Sequence, residues 1–160
     1  AFLYTMNADG SRPRFLFEAS DMCCPDFSPD GRRIALSVNG EIYVVNTDGR
    51  GRRLVSGAGF NTSPSWSPDG RRIVFDSDRD EDDWEIFVVP AGGGPALQLT
   101  DNEVDDEWPD WSPDGKLVAF SRGDLSELEG SLYVMATDGS RQRRVPLQVP
   151  AAMPSWQPLR

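Results

Sequence analysis

A five-residue phrase recurs along this chain: FSPDG at 27–31, WSPDG at 66–70 and WSPDG again at 111–115. The aromatic residues stand 39 and 45 residues apart, and a further 45 reaches Trp156, where the text becomes WQPLR. A period of that length means one supersecondary unit stacked on copies of itself, because a unit so small cannot bury its own apolar face. The phrase is also turn chemistry. Proline presets φ at the first central position, Asp suits the second, and Gly accepts the positive φ that leads into the next strand.

Aligned on the phrase, each unit reads as four strands. A strand A ends at Phe27, Trp66 or Trp111, followed by the turn residues Asp30-Gly31, Asp69-Gly70 or Asp114-Gly115. A strand B follows (RRIAL at 32–36, RRIVF at 71–75, KLVAF at 116–120), then a strand C (EIYVV at 41–45, EIFVV at 85–89, SLYVM at 131–135). An Asp-Gly or Gly-Gly turn leads to a short strand D at 52–56, 96–100 and 143–147. The runs are β-branched and aromatic, and no helical period occurs. Four antiparallel strands per 40–45 residues, repeated, predict an all-β fold: a β-propeller with three complete blades at 22–56, 62–100 and 106–147. The repeated aromatics, Trp156 included, are expected to pack one blade on the next rather than to stack on a ligand.

The chain ends predict a split or partial fourth blade. Residues 1–18 match strands C and D, and 152–158 match a closing strand A, but no strand B accompanies them. An open blade leaves unpaired edges, so the ring has to close. Either the chain is the C-terminal part of a longer propeller, which the position of the gap favours, or copies associate as a homo-oligomer that completes the ring. The opening Ala1-Phe2-Leu3-Tyr4 reads as strand rather than as a leader.

These residues resemble the TolB-type propeller repeat, whose recurring text is similar to P-x-W-S-P-D-G-x-x-I-x-F, then I-Y-x-M-x-x-D-G and a short L-T strand. Residues 64–100 and 132–139 follow it closely. The resemblance implies a non-catalytic scaffold for protein–protein interaction in a periplasmic or otherwise extracellular bacterial setting. Similar repeats form the gating propellers of tricorn-like and prolyl-oligopeptidase-like serine peptidases, which makes a substrate-gating domain the alternative, beside a carbohydrate-active propeller using Asp105 and Asp106 as paired acids. The final WQPLR resembles the natural end of secreted members, from which no following hydrolase domain is expected.

Composition narrows the chemistry. The 160 residues include no histidine, which removes Ser-His-Asp, Cys-His and imidazole metal sites, and Lys116 is the only lysine. No apolar run is long enough to span a membrane. Cys23 and Cys24 are neighbours on a predicted strand, so their side chains are expected to point to opposite faces as two small half-buried groups, with a strained vicinal disulfide or a redox role as the alternative. The Arg-Arg pairs at 32–33, 52–53, 71–72 and 143–144 recur at equivalent positions and read as scaffold salt links.

Function should sit where the repeats differ. The link between strands B and C is longest in the second and third units, and in the second it reads DSDRDEDDWE; the next D–A link reads DNEVDDEW. Residues 76–110 hold thirteen acidic side chains and one basic, Arg79, so this stretch accounts for the whole net charge of −10. Such a surface repels nucleic acid and suits a basic protein partner or a cation. The candidate partner-binding residues are Asp82, Asp83, Trp84, Glu103, Asp105, Asp106 and Glu107. Asp76, Asp78 and Asp80 imitate the first half of a calcium loop. However, Glu81 stands where the turn glycine belongs and Phe87 where the bidentate Glu belongs, so calcium would need a less regular site. No other cofactor is implied.

Overall fold

The computed structural model describes residues 1–79, 83–123, 130–147 and 153–156. Three four-stranded antiparallel sheets stack in chain order. The first comprises β3 (Met22–Phe27), β4 (Arg33–Val38), β5 (Glu41–Asn46) and β6 (Arg53–Leu54). The second comprises β7 (Asn61–Trp66), β8 (Arg72–Ser77), β9 (Glu85–Pro90) and β10 (Leu97–Gln98). The third comprises β11 (Asp106–Trp111), β12 (Leu117–Arg122), β13 (Ser131–Ala136) and β14 (Arg143–Arg144). A two-stranded sheet, β1 (Phe2–Thr5) with β2 (Arg14–Glu18), packs on the first. The chain is an all-β, partial propeller: among the described residues, the last sheet does not pair back to the first. No helix long and apolar enough to cross a membrane occurs among them.

In the first two sheets strand B is covered on both faces, so alternation splits its residues between two cores. On β8, Ile73 and Phe75 face the first sheet and join Ala35, Ile42 and Val44, whereas Val74 faces the third and joins Trp111, Val118 and Phe120. The strands D are shorter than their apolar text. Only two residues pair, after which Val55, Leu99 and Val145 each donate to the carbonyl of the strand C isoleucine or leucine.

Each SPDG turn is built the same way. The Ser28 hydroxyl donates to Asp30 at 2.6 Å and accepts the Arg33 amide at 2.9 Å; Ser67 and Ser112 repeat both bonds. The turn glycines Gly31, Gly70 and Gly115 have φ of 65°, 68° and 70°.

Trp66 and Trp111 are buried between blades, each under an arginine of the preceding strand B: Arg33 and Arg72 stand 4.6 Å from the ring centres. For Arg33 and Arg72 this replaces the expected salt links. The aromatic face lies beneath the guanidinium, so ring stacking replaces ion pairing. Phe27 departs from the blade-packing expectation, being 54% exposed. The sheet packed before it comprises β1 and β2. Trp156 donates its backbone N–H to Asp110 and its indole N–H to the Asp110 carbonyl, both at 3.1 Å. Residues 152, 157 and 158 of the expected closing strand lie outside the described residues.

Candidate functional site

The long links of the second blade meet the link that precedes it around a pocket of about 690 Å³. Ala58 and Gly59 come from the β6–β7 link, Asp78 and Arg79 from the end of β8, Asp83 and Trp84 from the approach to β9, and Asp105 from the approach to β11. Hydrogen bonds hold this wall in place. Asp78 accepts the Phe60 amide at 2.6 Å, Asp105 accepts the Trp84 amide at 3.1 Å, and Trp84 meets the Phe60 ring edge-on at 6.2 Å. Gly59 has φ of +82°, and a Cβ there would lie 2.6 Å from Arg79 Cα, so only glycine lets the two loops approach this closely. Arg79 is the only cation lining the pocket among the described residues. It donates to Ser77 and Asn61 and lies 3.9 Å over the Phe87 ring.

The structure separates the sequence candidates. Asp83, Trp84 and Asp105 share this pocket with Asp78, which the sequence had grouped with metal ligands. Glu103 is exposed outside it, and Glu107 sits in β11 opposite Ser121. Asp80 and Asp82 lie outside the described residues. Asp76 is fully buried between the second and third blades, where Oδ2 accepts the Trp108 amide at 2.8 Å. Burial pushes its carboxyl up to about 6. Asp76 and Asp78 therefore serve different amides, and no group of three carboxylate or thiol side chains among the described residues could hold a metal ion.

Asp106 belongs to a buried cluster behind the pocket. Arg122 donates two N–H bonds to it, both at 2.7 Å, and Asn102 bridges Asp106 to Glu85. Asp106 raises Arg122 above its ordinary value, chiefly through these hydrogen bonds. Glu85 is 2% exposed and accepts the Asn102 amide; burial pushes it up to about 7. Glu85, Asn102 and Arg122 were not candidates from sequence, because each opens or closes a strand or link and looks like solvent-facing polarity there. Glu85 opens a strand C whose next four residues, 86–89, are all buried.

A second cavity of about 260 Å³ lies where the strands A converge, lined by Cys24, Asp26, Ser63, Ser65, Trp108 and Asp110 among others. Each strand A carries a bulge of one extra residue, at 24, 63 and 108, with φ of 59°, 48° and 57° and a proline next in chain. Met153 repeats the conformation at 53°. The following position links blade to blade: Asp26 accepts the Trp66 amide, Ser65 the Trp111 amide and Asp110 the Trp156 amide. Burial raises the carboxyls of Asp26 and Asp110, and the charge of Asp110 adds to the effect on Asp26.

Comparison with known proteins agrees with this geometry. The family model of the TolB beta propeller domain matches residues 16–158. No curated protein matches the chain in sequence. Among solved structures, a putative TolB from Agrobacterium tumefaciens superposes with a TM-score of 0.81 at 26% identity, over 88% of this chain and 55% of that one. TolB from Acinetobacter baumannii gives 0.78 at 21%, over 93% and 38%. An oligogalacturonate lyase in complex with manganese gives 0.68 at 21%, over 88% and 40%. The chain thus spans about half or less of these neighbours' own length.

Proposed function

Because the chain belongs to the TolB beta propeller domain family, we propose that it is a non-catalytic scaffold that binds a basic segment of a protein partner at the pocket around Trp84. The setting we infer is the bacterial envelope or the extracellular space, as the two TolB neighbours suggest. The observation that carries the reading is the convergence of Asp78, Asp83 and Asp105 with Trp84 in one cavity. Carboxylates attract an arginine or lysine head, and the indole face adds a stacking surface for it. The frame is rigid, because the pocket walls are tied to strand ends of two adjacent sheets.

The cluster behind the pocket argues against a carbohydrate-active reading. Asp106, held by two bonds from Arg122, is committed to an ion pair and is not free to act as the second acid beside Asp105.

The test is calorimetric titration with an arginine-rich peptide and with a neutral analogue of equal length. Binding of the basic peptide alone, weakened by salt and reduced at least about tenfold by Trp84→Ala with Asp83→Asn, supports the proposal. Equal binding of both peptides, or of neither, rejects it.

A further inference from the structure

Two thiols that sequence alone sends to opposite faces of a strand come together in the folded chain. The bulge on β3 is the cause. Between the pairs Cys23–Ser37 and Asp26–Ala35 the strand inserts one extra residue, and Cys24 takes φ of 59°. Two residues of a bulged strand oppose one on the partner, which re-aims the second side chain. Both sulfurs then converge on one hydroxyl: Cys23 Sγ is 3.3 Å and Cys24 Sγ 3.7 Å from Thr62 Oγ1. The bulge does not depend on the cysteines, because Ser63 and Trp108 adopt the same left-handed conformation at the bulges of the other two strands A. The fold therefore gathers two neighbouring thiols around one hydroxyl, at a position set by the propeller repeat.

We propose that Cys23 and Cys24 form a redox-active vicinal dithiol, which closes to a disulfide by exchange with a small-molecule disulfide. Cys24 reacts first, since it lines the cavity at the converging strands A. Its thiol loses a proton and attacks one sulfur of the oxidant, releasing the other half as a thiol and leaving a mixed disulfide. Cys23 then loses its proton and attacks the Cys24 sulfur, releasing the second half. Two protein thiols are oxidised by two electrons in all, and one small disulfide is reduced to two thiols. The order agrees with the surroundings of Cys23, whose thiol is pushed up to about 11, mainly by burial and then by its contact with Cys24. Consecutive Cα atoms lie about 3.8 Å apart, short of the usual ~4.4–6.8 Å span, so the bridge is strained and readily reduced. Closure removes both thiol contacts to Thr62 and draws the Cys24 sulfur towards Cys23, reshaping the cavity wall beside Asp26. This is a switch, not a staple.

The experiment treats the reduced, folded chain with oxidised glutathione, quenches with acid and cleaves after arginine. Both cysteines fall in one peptide, residues 15–32. The expected product is that peptide lighter by two hydrogens, without retained glutathione, restored by dithiothreitol, and formed faster in the folded chain than in urea. The single variants Cys23→Ser and Cys24→Ser each retain one glutathione, and Cys23→Ser reacts the faster. Two retained glutathiones, a disulfide between chains, or equal rates in the folded and unfolded chain would overturn the proposal.

Discussion

Asp76 stands where the flanking blades carry serine, at Ser37 and Ser121, and the exchange places a carboxyl in a fully buried position. Its folded pKa, about 6, lies above the ordinary 3.8. A raised acid favours the folded state fully below its unfolded value, and that advantage is lost as pH rises through the folded one. Stability is therefore expected to fall between about pH 4 and 6 because of Asp76, and on towards pH 7 because of Glu85. Asp76→Asn keeps an acceptor for the Trp108 amide. It should leave stability unchanged at pH 4 and raise it by about 1–3 kcal/mol at pH 8, read by urea unfolding. A variant that loses stability at both pH values contradicts this account. The turn aspartates act in the opposite sense. Hydrogen bonds from Ser28, Ser67 and Ser112 hold Asp30, Asp69 and Asp114 below their ordinary value, so their contribution disappears only as pH falls through that lower range. Nothing in single-letter text distinguishes Asp76 from Asp78 two residues on; the difference arises because Asp76 lies within β8, covered by its neighbours, whereas Asp78 lies past the strand end in the link that lines the pocket. Gly59 is legible only in space as well. Gly59→Ala should lower the melting temperature, since both its φ and the Arg79 backbone resist a Cβ.

At the scale of the element, the repeated aromatic has one role in two blades and another in the first. Trp66→Ala removes a buried ring together with its Arg33 stack, and should cost about 3–5 kcal/mol. Phe27→Ala, at an exposed position, should cost well under that, about 1 kcal/mol or less. Parallel denaturant titrations of the two variants decide the matter, and equal losses would contradict the packing described. Trp66→Phe should be far milder than Trp66→Ala, because the buried Trp66 Nε1 has no hydrogen-bond partner to lose. The strands and turns themselves were legible: β branching, apolar runs and Pro-Asp-Gly are local signals, and each hairpin forms where its turn residues lie. The bulge in strand A was not. Its left-handed residues are Cys24, Ser63 and Trp108, three unlike side chains that share only the proline that follows them.

The described sheets stack in chain order with their shared cores between neighbours, so protection should follow position. The second sheet is covered on both faces by the cores it shares with the first and third. Amides of β8 and β9 are expected to exchange slowest with deuterium, and those of β1 and β2 fastest, because that pair is covered on one side only. Uniform exchange across the sheets would show a single cooperative unit instead. Taken alone, the sequence determined the four-stranded unit, its repetition and the concentration of acid in the second blade, because turn propensity, β periodicity and charge are properties of neighbours along the chain. The tertiary structure decided which carboxylates meet in the pocket and which are buried between blades. It also gave Phe27 its exposure and brought the two cysteine sulfurs together. Those outcomes depend on how one sheet faces the next and on a one-residue bulge, and contacts between residues distant in sequence leave no local pattern to read.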